Sequence, residues 1–285
     1  METKKQAIAI PTSVISDTPH LREKTSKIGL IGRTAAIFKI DQIIIYPDNP
    51  RKTNQKKDAA LIALLLTYME TPQYLRKRLF KLDPQLKFAG ILPPLRTPHH
   101  PLNRKTKKLK IGEYREGVTL SKAKEGVLVD IGVEQPALIR ETNWAEGKRL
   151  TVQIVNAGER IEVQTVNRDD IPSYWGYTVT VENRSFRKLI ENGKFDLTIA
   201  TSKLGVNFMD VAGKIGEKWQ KSQRILMAFG APTRGLYEIV KDEGANLDDV
   251  VDFVVNTVPE QGTETVRTEE ALLASLAIFN VQFRV

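Results

Sequence analysis

The sequence predicts an α/β fold with a parallel sheet, interrupted by a small β-barrel. Strand and helix patterns alternate over residues 1–92, only short strands are found from about 93 to 168, and the alternation returns from 176. Alternating strands and helices are typical of βαβ units and therefore of a parallel sheet. The simplest organisation is one α/β domain, 1–92 plus 170–285, with residues 93–169 inserted as the barrel.

The first part of the chain supplies strands and helices in turn. QAIAI at 6–10 is a short strand candidate, and QIIIY at 42–46 is apolar and β-branched, as a buried parallel strand is. Asp17 followed by Pro19 predicts an N-cap and an early proline of a helix that runs towards Phe38. Two more helices are predicted over KKDAALIALLLTYME (56–70) and over the QYLRKRLFKL that follows Thr71-Pro72.

The inserted region contains only strand patterns, and in the region after it strands and helices alternate again. Five short strands separated by glycines over about 70 residues favour a small closed or half-closed barrel. The barrel candidates are GEYREGVTL, GVLVDIGV, PALIR, RLTVQIV and RIEVQTV. The later strands, with helices between them, are YTVTV, FDLTIA, RILMAF and DFVVN.

The amino-acid composition excludes several classes of functional site. The chain is 41% apolar and 27% charged, which is typical of a soluble globular protein. It has no cysteine, which excludes a disulfide framework, a cysteine-ligated metal and a cysteine nucleophile. Its apolar runs are too short to span a bilayer and its N-terminus lacks a signal-peptide core, so we expect a cytoplasmic protein.

Charge is unevenly distributed along the chain. The net charge is +9, yet residues 241–285 carry three basic and nine acidic residues, so the first 240 hold 40 basic and 25 acidic ones. This asymmetry is compatible with ordinary solvated lysines. It also fits a polyanionic partner, with nucleic acid favoured.

Three successive strands of the second half run into loops of similar character: TSKLG (201–205), GAPTRG (230–235) and NTVPEQGT (256–263). Ligands of open parallel sheets bind outside the carboxyl ends of the strands. Each loop offers glycine and uncharged donors, and we expect the strand ends to carry no lysine, no histidine and no cluster of carboxylates. Ordinary βα turns also contain such residues, but three in succession favour a neutral heterocycle with a ribose. GxxxxGK[ST] and GxGxxG are absent, which opposes a P-loop or dinucleotide site.

The set FG-x-P-x-x-GL followed by NTVPEQGTETVRTEEALLASLAIFN (256–280) resembles the C-terminal part of the SPOUT-class RNA methyltransferases. It is closest to the archaeal and eukaryotic branch with an inserted OB-like β-barrel. The resemblance implies a C-terminal trefoil knot, which is an exception to the rule that chains do not thread loops. It also implies S-adenosyl-L-methionine as the cofactor and a homodimer with active sites near the subunit interface.

By this resemblance the loop from Asn256 to Thr265 wraps the cofactor, and its backbone and its threonine, asparagine and glutamine side chains meet the adenine and ribose edges without added charge. Thr268 is expected to cap the last helix. Leu272, Leu276 and Phe279 are expected to form one apolar face that packs in the core, and the resemblance offers a dimer contact of the same face as the second alternative. The implied cofactor-binding residues are Thr201, Ser202, Gly205, Phe229, Gly230, Gly235, Asn256, Thr257, Val258, Gln261, Gly262, Thr263 and Thr265.

KIGLIGRTAAIFKIDQIIIY (27–46) is similar to the first motif of the ribose-methylating SPOUT branch, in which an arginine faces the target nucleotide. Arg33 occupies the matching position and is the candidate catalytic residue. The asparagine expected before it is replaced by Lys27 and Ile28, which disfavours a ribose oxygen as the acceptor. A solvent-facing helix arginine remains an equal alternative.

The insert carries the candidate RNA-binding residues. HHPLNRKTKKLK (99–110) is basic and free of acids, and EGVLVDIGVEQPALI (125–139) resembles the core of OB-like RNA-binding barrels. We expect phosphate contacts rather than base reading, because exposed aromatic candidates are few. The predicted contacts are Arg104, Lys105, Lys107, Lys108 and Lys110. With no third ligand in sight, the two histidines are expected to be exposed or to face RNA rather than to bind a metal.

The sequence therefore predicts methyl transfer from S-adenosylmethionine to RNA, with ribosomal RNA favoured over tRNA and a uridine base nitrogen as the acceptor. Two other classes stay open. One is a ribosome-assembly or RNA-binding factor with the same fold and little turnover. The other is a dinucleotide-dependent oxidoreductase, which the missing fingerprint opposes.

Overall fold

A computed structural model describes residues 4–49 and 55–283. The chain forms two compact units. The first unit consists of Met1–Thr67, Lys87–Pro93 and Tyr177–Val285, and the second of Tyr68–Leu86 and Pro94–Gly176. Along the described chain, none of the helices is long and apolar enough to cross a membrane.

The first unit is built on a parallel sheet, as predicted. In the described residues its six strands are β1 (Lys5–Pro11), β2 (Gln42–Tyr46), β8 (Thr178–Val181), β9 (Leu197–Asn207), β10 (Arg224–Ala228) and β11 (Phe253–Asn256). They lie in the order β11-β9-β10-β1-β2-β8, and each neighbouring pair is parallel. The apolar runs of the central strands are almost fully buried, which explains their uninterrupted hydrophobic character.

The helices of this unit are α1 (Leu21–Ile37), α2 (Gln55–Glu70, whose last three residues belong to the second unit), α4 (Phe186–Asn192), α5 (Phe208–Lys221), α6 (Leu236–Asp242), α7 (Leu247–Val250) and α8 (Thr268–Phe283). Leu272, Leu276 and Phe279 of α8 are at most 2% exposed, so their predicted core role is confirmed. The Phe279 ring packs near Phe208 and Trp219 of α5.

Two predicted helix caps are wrong. The first helix begins at Leu21 with His20 as its N-cap residue, and residues 12–15 form a separate 3-10 turn before it. Asp17 accepts hydrogen bonds from buried Lys27 instead, at 2.8 Å. At the start of α8 the Thr268 hydroxyl donates to the Gly230 carbonyl, at 2.9 Å. The Glu270 carboxylate caps that helix by accepting the Arg267 N–H, as in the second half of a capping box.

The second unit contains the predicted barrel. Its described strands are β3 (Tyr114–Ala123), β4 (Gly126–Asp130), β5 (Ala137–Arg140), β6 (Arg149–Ala157) and β7 (Ile161–Thr165), closed in the order β3-β4-β5-β7-β6. Inward-facing valine, isoleucine and leucine side chains fill it. The unit also includes α3 (Gln73–Leu79), which lies outside the expected 93–169 segment. Tyr74 explains the association, because its hydroxyl donates to the Glu116 carbonyl of β3.

A buried polar network lies in the second unit. Arg149 donates to the Glu70 carboxylate at 2.7 Å and to the Glu116 carboxylate at 2.6 Å, and both glutamates are at most 3% exposed. Arg168 also pairs with Glu70, and the Trp175 indole donates to Glu116. Each buried charge therefore has a partner of opposite sign, as burial requires.

His99 and His100 belong to this network, so the expectation that they are exposed or face RNA is wrong. His99 is fully buried, and both Nε2 atoms approach the Glu70 carbonyl oxygen, at 3.0 and 2.7 Å. A carbonyl only accepts, so both imidazoles donate an Nε2–H. Burial lowers the pKa of each ring to about 4. Gly176, at φ +83°, permits this packing, because a Cβ there would lie 2.5 Å from the His99 ring.

Candidate functional site

A cavity of about 250 Å³ lies beyond β10 and β11 in the first unit, beside the middle of β9. It is lined by Thr201–Lys203 of β9, by Phe229–Gly235 after β10, by Glu238 of α6, and by the end of β11 with parts of the loop and helix that follow it. This is where an open parallel sheet binds ligands.

The cavity brings together ten of the thirteen predicted cofactor-binding residues. They are Thr201, Ser202, Phe229, Gly230, Gly235, Asn256, Thr257, Val258, Gln261 and Thr265. The structure places Gly205, Gly262 and Thr263 outside the set of described residues that line it.

The predicted loop at 201–205 is wrong, because β9 continues through it to Asn207. A register shift between Val254 and Val255 lets β11 pair with this extension, with Val255 opposite Val206. Gly205 serves the strand pairing. A Cβ at that position would lie 2.7 Å from the Val255 backbone, so only glycine lets the two strands approach this closely.

The polar side chains of the 256–265 loop mainly hold the loop itself. Asn256 accepts the Val258 N–H and donates to the Lys203 carbonyl, and Gln261 donates to the carbonyls of Thr263 and Glu264. The loop has no regular secondary structure, so these side-chain hydrogen bonds satisfy backbone groups that a helix or sheet would otherwise pair. The side chains of Asn256 and Gln261, which were expected to meet adenine and ribose, therefore already have partners within the protein.

Three further contacts fix the walls of the cavity. The Thr257 and Ser275 hydroxyls lie 2.8 Å apart in a buried pair that ties the loop to α8. Thr201 donates to the Ala228 carbonyl at 3.2 Å, and the Tyr46 hydroxyl donates to the Phe229 carbonyl at 2.7 Å. Burial raises the pKa of Tyr46, so its hydroxyl stays a neutral donor. The walls are thus set before a ligand arrives.

The lining is not purely neutral, contrary to expectation. Lys203, Arg234 and Glu238 line the cavity, together with Ala231, Pro232, Thr233, Val266, Thr268 and Ala271. Most of these residues lie within the three strand-end motifs of the sequence, next to residues that were predicted to bind the cofactor. Lys203 lies in TSKLG itself. Glu238 lies in the first turn of α6, and no strand-end signal marks it.

Arg33 lies on α1, half-buried, and outside the set of described residues that line the cavity. Its catalytic role stays a prediction.

The basic segment, residues 104–110, runs along the second unit as an exposed turn. All five predicted RNA-contact residues are exposed, while Leu109 is buried in the barrel core and anchors the segment. The Glu134 carboxylate accepts from Lys105 Nζ at 3.0 Å and from the Thr106 N–H, and the hydrogen bond from Lys105 lowers the pKa of Glu134. Fully buried Arg115 donates to the Asn103 carbonyl, which holds the start of the segment.

A parallel α/β sheet with a cavity at its strand ends defines the class of α/β proteins that bind a small ligand at that edge of the sheet. The comparisons give the particular family. The chain belongs to the family described as "Putative RNA methyltransferase", whose model matches residues 5–279.

Relatives of known name support this membership. The chain is 32% identical to the 28S rRNA (uridine-N(3))-methyltransferase of Drosophila melanogaster over 95% of its length, and spans 61% of that protein. It is 33% identical to the mouse enzyme of the same name, again over 95% of its length and 74% of the relative. A protein of Halobacterium salinarum with no assigned activity is 31% identical, over 95% of this chain and 97% of that one.

Among solved structures, the SpoU methyltransferase AviRb of Streptomyces viridochromogenes, in complex with AdoMet, is similar at 9% identity and a TM-score of 0.32. The match covers 97% of this chain and 60% of that one. A likeness this weak places no residue of the present site.

Proposed function

We propose that this protein methylates a uridine base nitrogen of ribosomal RNA, using S-adenosylmethionine. The observation that carries the proposal is the cavity at the strand ends, in a chain that belongs to an RNA methyltransferase family. The names of the relatives support the uridine nitrogen as acceptor.

The residues present fit such a cofactor. Phe229, Val258 and Val266 provide apolar wall for a heterocycle, and the backbone at Gly230 and Gly235 allows close approach. The bound cofactor would supply an electrophilic methyl group. The chain's own work would be to hold the acceptor nitrogen in line with that methyl and to let its proton leave.

The test of the cofactor site is calorimetric titration with S-adenosylmethionine, with NAD as a ligand that should not bind. Gly230 is a poor position to probe, because a Cβ there would lie 3.2 Å from the Gly235 backbone and disturb the turn. At Gly235 a Cβ meets open space, and the residue lines the cavity. Gly235→Val should therefore weaken binding by about tenfold or more, which is about 1.4 kcal/mol.

Gly262→Val is the matched control. A Cβ at Gly262 also meets open space, but the residue lies outside the described cavity lining. It should leave affinity near wild type, and equal losses in both variants would contradict the proposed site. The acceptor is tested by mass spectrometry of rRNA nucleosides from a deletion strain. Unchanged methylation with retained cofactor binding would favour an assembly factor with little turnover.

We also propose that the protein acts as a homodimer that uses α1 and α8, which pack against each other. Leu30 and Ile37 of α1 and Leu273 and Val281 of α8 are between 48% and 78% exposed. Exposed apolar residues on adjacent helices are typical of an interface. Leu273→Glu should give a monomer by sedimentation, and an unchanged mass would contradict this surface.

The trefoil knot and the cytoplasmic location stay predictions.

A further inference from the structure

Two charged side chains, Lys203 and Glu238, lie on the wall of the cavity. Across residues 4–49 and 55–283, no hydrogen bond or ion pair engages the side chain of Lys203 or of Glu238. The third charged lining residue, Arg234, differs, because it donates to the Asp48 carbonyl and pairs with Asp242. Its guanidinium therefore serves to anchor the loop that follows β10.

Lys203 and Glu238 lie on neighbouring elements. Lys203 is on β9, Glu238 is in the first turn of α6, and α6 packs against β9. Both side chains are exposed, so they belong to the solvent end of the cavity, whereas Phe229 and Thr257 are buried. The cavity thus has an interior in which the one charged residue of the described lining, Arg234, is already paired, and a mouth that carries one cation and one anion.

The volume of the cavity indicates which part of a ligand lies in the interior and which part lies at the mouth. The 250 Å³ of the cavity lies just below the range of about 300–1,000 Å³ that is usual for ligand pockets. A nucleoside suits this interior, because its polar edges need donors and acceptors but no counter-charge. Any charged substituent has to extend to the mouth, where water and the two side chains offset the cost of burying an ion.

We propose that Lys203 and Glu238 form a subsite for a zwitterionic α-amino acid group attached to the nucleoside. Lys203 pairs with the carboxylate and Glu238 with the ammonium. This rests on the proposed function, because S-adenosylmethionine carries such a group. The assignment follows from charge complementarity, since an unpaired cation and an unpaired anion on one wall match a ligand end with both charges.

Two ligands that differ in this group test the subsite. S-adenosylhomocysteine carries the amino acid, and 5′-methylthioadenosine has the same nucleoside without it. Lys203→Gln and Glu238→Gln remove one charge each, and the second substitution also keeps the shape of the side chain. Each should weaken S-adenosylhomocysteine binding about fivefold, the scale of a solvent-exposed charged contact, and leave methylthioadenosine binding unchanged in calorimetry.

Lys214→Gln and Glu217→Gln on α5 are matched controls, because both side chains are exposed and outside the described cavity lining. Unchanged S-adenosylhomocysteine affinity in the two test variants would overturn the subsite. An equal loss for both ligands in Glu238→Gln would place that carboxylate on the ribose and overturn its pairing with the ammonium. If wild-type protein binds neither ligand, the proposed function itself fails, and that outcome is distinct from the other two.

Discussion

Acidification should destabilise the barrel-containing unit through its two buried histidines. His99 and His100 have pKa values lowered to about 4, chiefly by burial, against about 6.5 in an unfolded chain. As the pH falls below 6.5, the two histidines become protonated in the unfolded chain but stay neutral in the folded unit. Their contribution to stability is therefore present above about pH 6.5 and is lost as the pH falls towards 4.

The two pKa values set the magnitude. Between pH 7 and pH 5, a histidine with those values reduces the free energy of unfolding by about 2 kcal/mol, so the pair reduces it by up to about 4 kcal/mol. The carboxylate of Glu116 adds little in this range, because an unfolded glutamate is still mostly ionised at pH 5. Urea unfolding followed by tryptophan fluorescence at the two pH values measures the difference.

Single substitutions separate the contributions. The amide of His100→Gln can still donate towards the Glu70 carbonyl but does not titrate, so this variant should show about half of the pH dependence. His20→Gln is the control, because His20 is exposed and precedes α1. A wild-type loss below about 1 kcal/mol would refute the reasoning. So would imidazole resonances of His99 and His100 that titrate near pH 6.5.

Three further predictions concern the network, the RNA and the acceptor. Arg149→Met should cost about 3–5 kcal/mol in urea unfolding, because it leaves two buried glutamates without their shared partner, and a loss below 1 kcal/mol would contradict that role. Replacing the four lysines of the basic segment by alanine should lower the slope of log affinity for RNA against log salt by about 0.7–0.9 per lost phosphate contact, and an unchanged slope would make the segment a solvated surface. Arg33→Ala should slow single-turnover methylation about a hundredfold at unchanged cofactor affinity, with partial rescue by Arg33→Lys, and a wild-type rate would return Arg33 to the helix surface.

The sequence by itself determined the elements and most of the cavity. Uninterrupted apolar runs such as QIIIY identify buried parallel strands, and short alternating strands between glycines identify the barrel, because both patterns report local geometry and the face that is buried. Loops that follow parallel strands meet at one edge of the sheet. The resemblance named residues in these segments, and ten of them line one cavity, although the sequence contains no distance between them.

Only the tertiary structure decided which groups find partners. The extension of β9 through Gly205 depends on pairing with β11, which lies about 50 residues further along the chain. The burial of His99 depends on Glu70, 29 positions earlier, and Asp17 pairs with Lys27 rather than capping a helix. That Lys203 and Glu238 find no ion-pair partner among the described residues follows from the same cause. Periodicity reports what a residue does within its own element, whereas burial and pairing depend on neighbours that the chain brings together from distant positions.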